Sequence, residues 1–464
     1  MKIPFARHSY TLDSLPASAQ RCVNLFAEIQ PEDARVPFIL RSAPGTVEFA
    51  EMGDGPIRGI AWLGADLIVI SGVKVYRLTA AGSSFYLGSM SADGAFSLAG
   101  GLGYVVMVDS PRAYYTDGAA VTEITDDDFP GASSVGYLDG YWIFTRPDSG
   151  QFFISSLLDP SAFESLDFAT AEGAPDDTLR VLVDHREVWL FGARTTEIWV
   201  NTGVSPFPLE RMGNAFIERG IGAPFSAAKL DNTVFWMGDD GIVYRAEGYV
   251  PRRISTHAIE QAIERYDRRD DAEGWTYTQD GHVFYVLSFP TAEVTWVYDG
   301  ATQLWHERIS GAKDHGLWRA CCGVTAFGKV LVGDRSTGKV FALDPTAHDE
   351  AGGVLRRLAH SAPVRADGGA RSTMSLLQMD IETGVGLIDG QGENPQAMLQ
   401  WSDDGGRTWS NERWVSIGGI GAYKARARWT RLGSFRERVL RLAISDPVSV
   451  TIYQAEANVT RGVS

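Results

Sequence analysis

The chain has 464 residues, 44% of them hydrophobic and 22% charged, which is the composition of a folded protein of one very large domain or two to three ordinary ones. Its formal net charge of −16 argues against general wrapping of nucleic acid, which needs clustered Lys and Arg. No run of 18 apolar residues points to a membrane span, and the first residues lack the continuous apolar core of a signal peptide. Three cysteines, Cys22, Cys321 and Cys322, are too few for a disulfide framework or a Cys-only zinc site, so synthesis in a reducing cytoplasm is expected.

In chain order, residues 1–56 read as an N-terminal arm with strands leading into the first repeat. From 57 to 345 one theme recurs: a short apolar or alternating strand, a Gly/Asp/Asn turn, then a second strand rich in β-branched and aromatic residues. It starts at 57, 96, 133, 179, 225, 275 and 321. Units of this spacing, with about four short strands each, predict a β-propeller, because radial packing buries both faces of every hairpin. Seven units are countable; pairing two as halves of one blade would give six. One segment breaks the β pattern. Residues 256–273 predict an inserted amphipathic helix, with Ser255 or Thr256 at its start and Ile259, Ile263 and Tyr266 as its apolar stripe. It reads as a helix packed on the propeller rim, or as a docking helix for a partner.

Residues 346–374 read as a connector and 375–464 as a β-rich region packing on or closing the propeller. The overall fold class is therefore all-β. The last region contains "WSDDGGRTW", where Ser402, Asp404, Gly406, Thr408 and Trp409 match the Asp-box S-x-D-x-G-x-T-W. Asp404 is expected to accept backbone N–H groups across a tight hairpin turn, Gly405 and Gly406 to take positive φ, and Trp409 to floor the turn. None of these residues is placed to attack a substrate. Between 401 and 445 nine basic residues stand against four acidic ones. Alternation puts Arg426 and Arg428 on one strand face and Trp429 on the other. Arg426, Arg428, Arg431, Arg436 and Arg438 are the candidate interface with an acidic neighbour, the other reading being a solvated strand face. Asp126, Asp127, Asp128, Asp239 and Asp240 lie in acidic runs that suit exposed loops.

The chemistry of an enzyme is poorly represented. The phosphate-loop, nucleophile-elbow and zinc-helix patterns do not occur, and the eight histidines are scattered. No catalytic residue, metal site or cofactor is expected. The Asp-box leaves one alternative, a glycan-cleaving or glycan-binding propeller of the sialidase type, although the box occurs once here and sialidases generally repeat it.

Three stretches read together carry a resemblance. They are "SAQRCVNLFAEIQPEDARVPFILRSAPGTVEFAEMGDGPIRGI" (18–60), "ISTHAIEQAI" (254–263) and the terminal region 401–459. In this order the chain resembles the packaged-DNA stabilisation proteins, or tail hub (nozzle) proteins, of short-tailed bacteriophages (podoviruses). The resemblance implies a structural virion protein of the phage tail, made in the host bacterial cytoplasm. It implies a homo-oligomeric ring, commonly a hexamer, beneath the portal and head-to-tail adaptor. The ring retains packaged DNA, forms part of the ejection channel and receives tailspikes or fibres, often with a needle. DNA would pass nearby without specific binding, and the membrane would not be entered. On that reading Asp126–Asp128 and Asp239–Asp240 become candidate lumen or adaptor-facing loops.

Overall fold

The computed structural model describes residues 1–462 apart from positions 13, 16, 54, 92–95, 172, 174 and 366–368. Within these, six four-stranded antiparallel sheets and one further antiparallel set of four strands, which continues into a ten-stranded sheet, build the blades of a propeller. Their innermost strands are Ile57–Leu63, Ser97–Gly101, Ser134–Leu138, Thr178–Asp184, Ala228–Leu230, Glu273–Gln279 and Ala320–Ala326. We number the blades 1 to 7 in that order. Each repeat read from the sequence falls on one blade.

The second strand of each blade shows why the sequence folds this way. Segments such as Tyr104–Asp109 (YVVMVD) and Thr233–Met237 (TVFWM) are almost continuously buried and rich in β-branched or aromatic side chains. Their alternate residues serve different neighbours. Val105 and Met107 join the core between blades 1 and 2, while Val106 and Val108 join the core between blades 2 and 3. Such cores continue around the disk to the one in which Leu331 and Val340 of blade 7 meet Ile57 and Val69 of blade 1. The ring is therefore closed by packing. The first two strands of every blade are joined by two-residue turns, as in the pairings Leu138↔Tyr141 and Gln279↔His282. The left-handed φ of Asp139 and Gly140, +48° and +96°, is the geometry that matches the twist of a tight hairpin.

Blade 7 takes its outer strand from the other end of the chain: Gly45–Glu51 pairs with Lys339–Asp344. The arm expected over 1–56 is thus divided between two domains. Leu25–Ile29 and Phe38–Ser42 join Ser372–Ile381, Ala427–Thr430 and Thr451–Arg461 in one sheet of a C-terminal sandwich. Lys2–Ile3 pairs with the last of these. The facing sheet contains Arg357–His360, Glu437–Ile444, Gln396–Ser402 and Arg413–Ser416. Arg357–His360 lies in the segment expected as a connector, so that reading is corrected. The strand is short, fully buried and held by partners far away in sequence. Residues 366–368 of that segment lie outside the described ones.

The two domains share a sheet. Cys22–Val23 pairs on one side with Leu304–Glu307, the outer strand of blade 6, and on the other with Arg357–His360. Blade 6 thereby runs without a break into the sandwich, and Asn24 reinforces the junction through its side-chain amide to the carbonyls of Ile309 and Arg356.

The helix is shorter than its sequence pattern. It spans His257–Glu264 and buries Ala258, Ile259 and Ile263 between blades 5 and 6. It stops early because the N–H groups of Arg265 and Tyr266 turn to i−3 carbonyls and the Tyr266 ring packs on Phe289, its hydroxyl accepting the indole N–H of Trp296. The docking-helix reading loses its apolar face to this core.

Two buried histidines make stability depend on pH. His306 in blade 6 and His360 at the junction are both held down to about 3 by burial. Between the ordinary histidine value near 6.5 and about 3, the unfolded chain carries protons that the folded chain does not. Their contribution is complete above that window and declines as pH falls through it, by up to about 1.4 kcal/mol per pH unit for each group. His360→Gln should therefore flatten the fall of urea stability between pH 6.5 and 4. Parallel curves for the variant and the parent protein would reject a neutral His360 at the junction.

Candidate functional site: the Asp-box, the domain junction and the charged surfaces

The Asp-box forms a loop over 403–409, not the two-residue hairpin expected. It is closed by the N–H of Ser410 on the carbonyl of Trp401 at 2.9 Å. Asp404 organises it. Its carboxylate accepts the Ser402 hydroxyl at 2.6 Å, the Thr408 hydroxyl at 2.6 Å and the backbone N–H groups of Arg407 and Thr408 at 3.0 and 2.9 Å. Ser402 Oγ in turn accepts the Gly406 N–H at 2.7 Å. These donors hold the carboxyl well below the usual carboxylate range, with Ser402 contributing most. Gly406 has φ +98°, and a Cβ there would lie 3.2 Å from that of Ala19. The loop thus rests on the N-terminal segment.

Trp409 is half-buried, so it is not the fully covered floor expected. Its ring lies 5.0 Å from that of His360, and the Arg441 guanidinium sits 4.4 Å from its centroid. Arg441 leads into the junction between the domains. It donates to Asp314 at 3.0 Å, and Asp314 also accepts Arg356 at 2.7 Å. Beside them Arg21 grips Glu307 through Nε at 3.0 Å and Nη2 at 2.5 Å, and Ser9 donates to the same carboxylate at 2.8 Å. Burial alone would raise both carboxyls. The neighbouring guanidiniums prevail, and both Glu307 and Asp314 are held below their ordinary values. Nothing in the sequence marks this cluster. Its members come from residues 9, 21, 307, 314, 356 and 441, and no local spacing connects them.

The arginines proposed as an interface divide. Ala427 and Trp429 point inward while Arg426 and Arg428 are exposed, with Arg428 Nε donating to Gln378 at 2.8 Å. Arg431 and Arg436 are also exposed. Arg438 must be removed from the set. It is 1% exposed, donates to both carboxylate oxygens of Asp403 at 2.7 Å, and lies against Trp401 and Phe435. It faces inward because alternation along Glu437–Ile444 puts it on the strand face that carries Leu440, Leu442 and Ile444 into the sandwich core.

The acidic loops share one end of the propeller. Asp126–Asp128 link an outer strand to the next inner strand, and Asp239 and Asp240 link a second strand to a third. Antiparallel alternation puts both kinds of connection on the same face of the disk, along with Asp176 and Asp177. Asp126 and Asp240 are partly committed to their own loops. Asp126 accepts the N–H of Asp128 at 2.8 Å, and Asp240 accepts the Tyr244 hydroxyl at 2.7 Å. Asp127 and Asp128 rim a cavity of about 250 Å³ with Glu164, Asp167 and Arg146. Among the described residues no group of three or more His, Cys, Asp or Glu could hold a metal ion, and no helix is long and apolar enough to cross a membrane.

Trp409→Ala is expected to destabilise the protein by about 1–3 kcal/mol, less than the ~3–5 kcal/mol of a fully buried aromatic, because its side chain is only partly buried. Chemical denaturation measures this, and a loss below about 0.5 kcal/mol would show that Trp409 does not brace the junction.

Comparison with known proteins gives a family for both domains. The family model described as bacteriophage P22 Gp10, β-propeller, matches residues 1–348, and that described as bacteriophage P22 Gp10, β-sandwich, matches residues 360–460. No curated protein matches. Similar solved structures include the computationally designed protein Ika8, at 12% identity and TM-score 0.39, covering 73% of this chain and 100% of that one. BamB from Moraxella catarrhalis has 13% identity and TM-score 0.38, covering 63% and 97%. The extracellular domain of the putative one component system BT4673 from B. thetaiotaomicron has 9% identity and TM-score 0.43, covering 88% and 58%. With its propeller and sandwich each matched in order, the chain belongs to the bacteriophage P22 Gp10 family of phage structural proteins that stabilise packaged DNA.

Proposed function

We propose that this protein is the tail hub, or nozzle, of a short-tailed phage virion and has no catalytic role. In this reading it is a ring subunit, commonly one of six, below the portal and adaptor. The ring retains packaged DNA, lines part of the ejection channel and carries tailspikes or fibres and a needle. Membership of the family along both domains carries the reading. Two structural features support it. Blades locked by packing on both faces make a stiff frame. One face of that frame gathers the acidic loops, and an acidic wall repels passing DNA; the repulsion is screened over ~8–10 Å at physiological ionic strength.

The glycan reading gains nothing from the Asp-box. Asp404 spends its acceptor capacity on Ser402, Arg407 and Thr408, and Trp409 is committed to the junction.

The direct test is electron microscopy of particles assembled without this chain. DNA-filled heads that lose their genome and lack the lower tail are the expected result; intact, infectious tails would reject the hub role. The exposed arginines offer a finer test. Arg426→Glu with Arg428→Glu should impair ring assembly by light scattering while circular dichroism and urea stability stay close to those of the parent protein. Normal assembly of that variant would remove this edge from the interface.

A further inference from the structure

The adjacent thiols of blade 7 serve nothing described so far. In a regular strand Cys321 and Cys322 would point to opposite faces. Here the register jumps: Ala320 faces Asp334 and Cys322 faces Gly333, so Cys321 is the extra residue of a β-bulge. Both thiols are left on the same side, 3.9 Å apart. They stand at the seam with blade 1, where Cys321 Sγ donates to the carbonyls of Ile57 at 2.9 Å and Gly333 at 3.3 Å. A Cβ on Gly333 would come within 2.8 Å of Cys322 Sγ, so the glycine leaves that sulfur its room. Both residues are partly exposed, whereas Cys22 is fully buried.

The spacing discriminates between two chemistries. A disulfide needs sulfurs about 2.05 Å apart and Cα atoms at least about 4.4 Å apart. Consecutive Cα atoms are separated by only about 3.8 Å across a trans peptide. A metal ion with bonds of about 2.3 Å to two thiolates at a tetrahedral angle sets its sulfurs about 3.8 Å apart. The thiols already have that separation.

We propose that Cys321 and Cys322 form a two-thiolate chelate for a soft divalent metal ion of the zinc and cadmium class, at the seam where the propeller closes. Thiolate ligands select such ions. Binding exchanges two S–H bonds for two metal–sulfur bonds and releases two protons to solvent, with no change of oxidation state. Among the described residues no third His, Cys, Asp or Glu joins them, so the remaining coordination positions would be filled from solvent, unlike the four protein ligands of a structural zinc site.

Cadmium chloride added to the full chain is the test. The parent protein and Cys22→Ser should each bind one ion, read as an ultraviolet thiolate-to-metal band and, by native mass spectrometry, as the mass of one cadmium less two protons. Cys321→Ser and Cys322→Ser should each lose both signals. In the parent protein, cadmium should also protect both thiols from iodoacetamide, mapped by peptide mass, which tests the site even if a variant fails to fold. Retention of the band in either single variant, absence of binding by the parent, or labelling of Cys321 and Cys322 in the presence of cadmium would overturn the assignment.

Discussion

Everything in this fold depends on where the first fifty residues go. They supply the outer strand of blade 7, the strand that welds blade 6 to the sandwich, and three strands of the sandwich itself. Each would be a marginal two- to seven-residue piece alone. Inserted between partners, each completes a sheet whose edge would otherwise expose unpaired backbone groups. Asn24, at φ +51° between two of these strands, lets the chain change sheets, and its amide ties both domains at the point of crossing.

The junction built around that crossing is unusually charged for an interior. Arg21, Arg356 and Arg441 face Glu307 and Asp314, with Glu412 at its margin. Burial of such groups costs several kcal/mol per ion, and mutual attraction offsets it only where geometry and hydrogen bonding are good. An apolar contact of the same area would allow many relative orientations. Forked guanidiniums on fixed carboxylates allow few. The Asp-box acquires its role here: a carboxylate-centred loop holds Trp409 where it can press on Arg441 and His360.

Much of this was legible in the sequence. The apolar second strands of the blades, the tight turns between them and the apolar stripe of the helix are local signals, and each unit of the repeat fell on a blade. Alternation also placed Arg426 and Arg428 outside and Trp429 inside. What local reading could not supply was long-range pairing. Gly45–Glu51 carries no mark of belonging beside Lys339–Asp344, and Arg357–His360 reads as part of a polar linker until its partners are known. Arg438 failed for a different reason: its charge matches that of its exposed neighbours, yet alternation sets it on the strand face of Leu440, Leu442 and Ile444, where Asp403 meets its guanidinium.

The sandwich is finished by residues that lie far apart in the chain: the amino group of Met1 donates to the carbonyl of Ala457, 456 positions away. During synthesis the propeller strands are complete long before the last sandwich strand leaves the ribosome. A chain cut short ahead of Thr451 would lack Ile452, Ala455 and Ala457, which share a core with Leu25, Ala27, Leu40 and Leu377. Exposed apolar strands of that kind attract chaperones and proteases. The sandwich core therefore cannot close before Thr451–Arg461 lies beside Phe38–Ser42 and Ser372–Ile381.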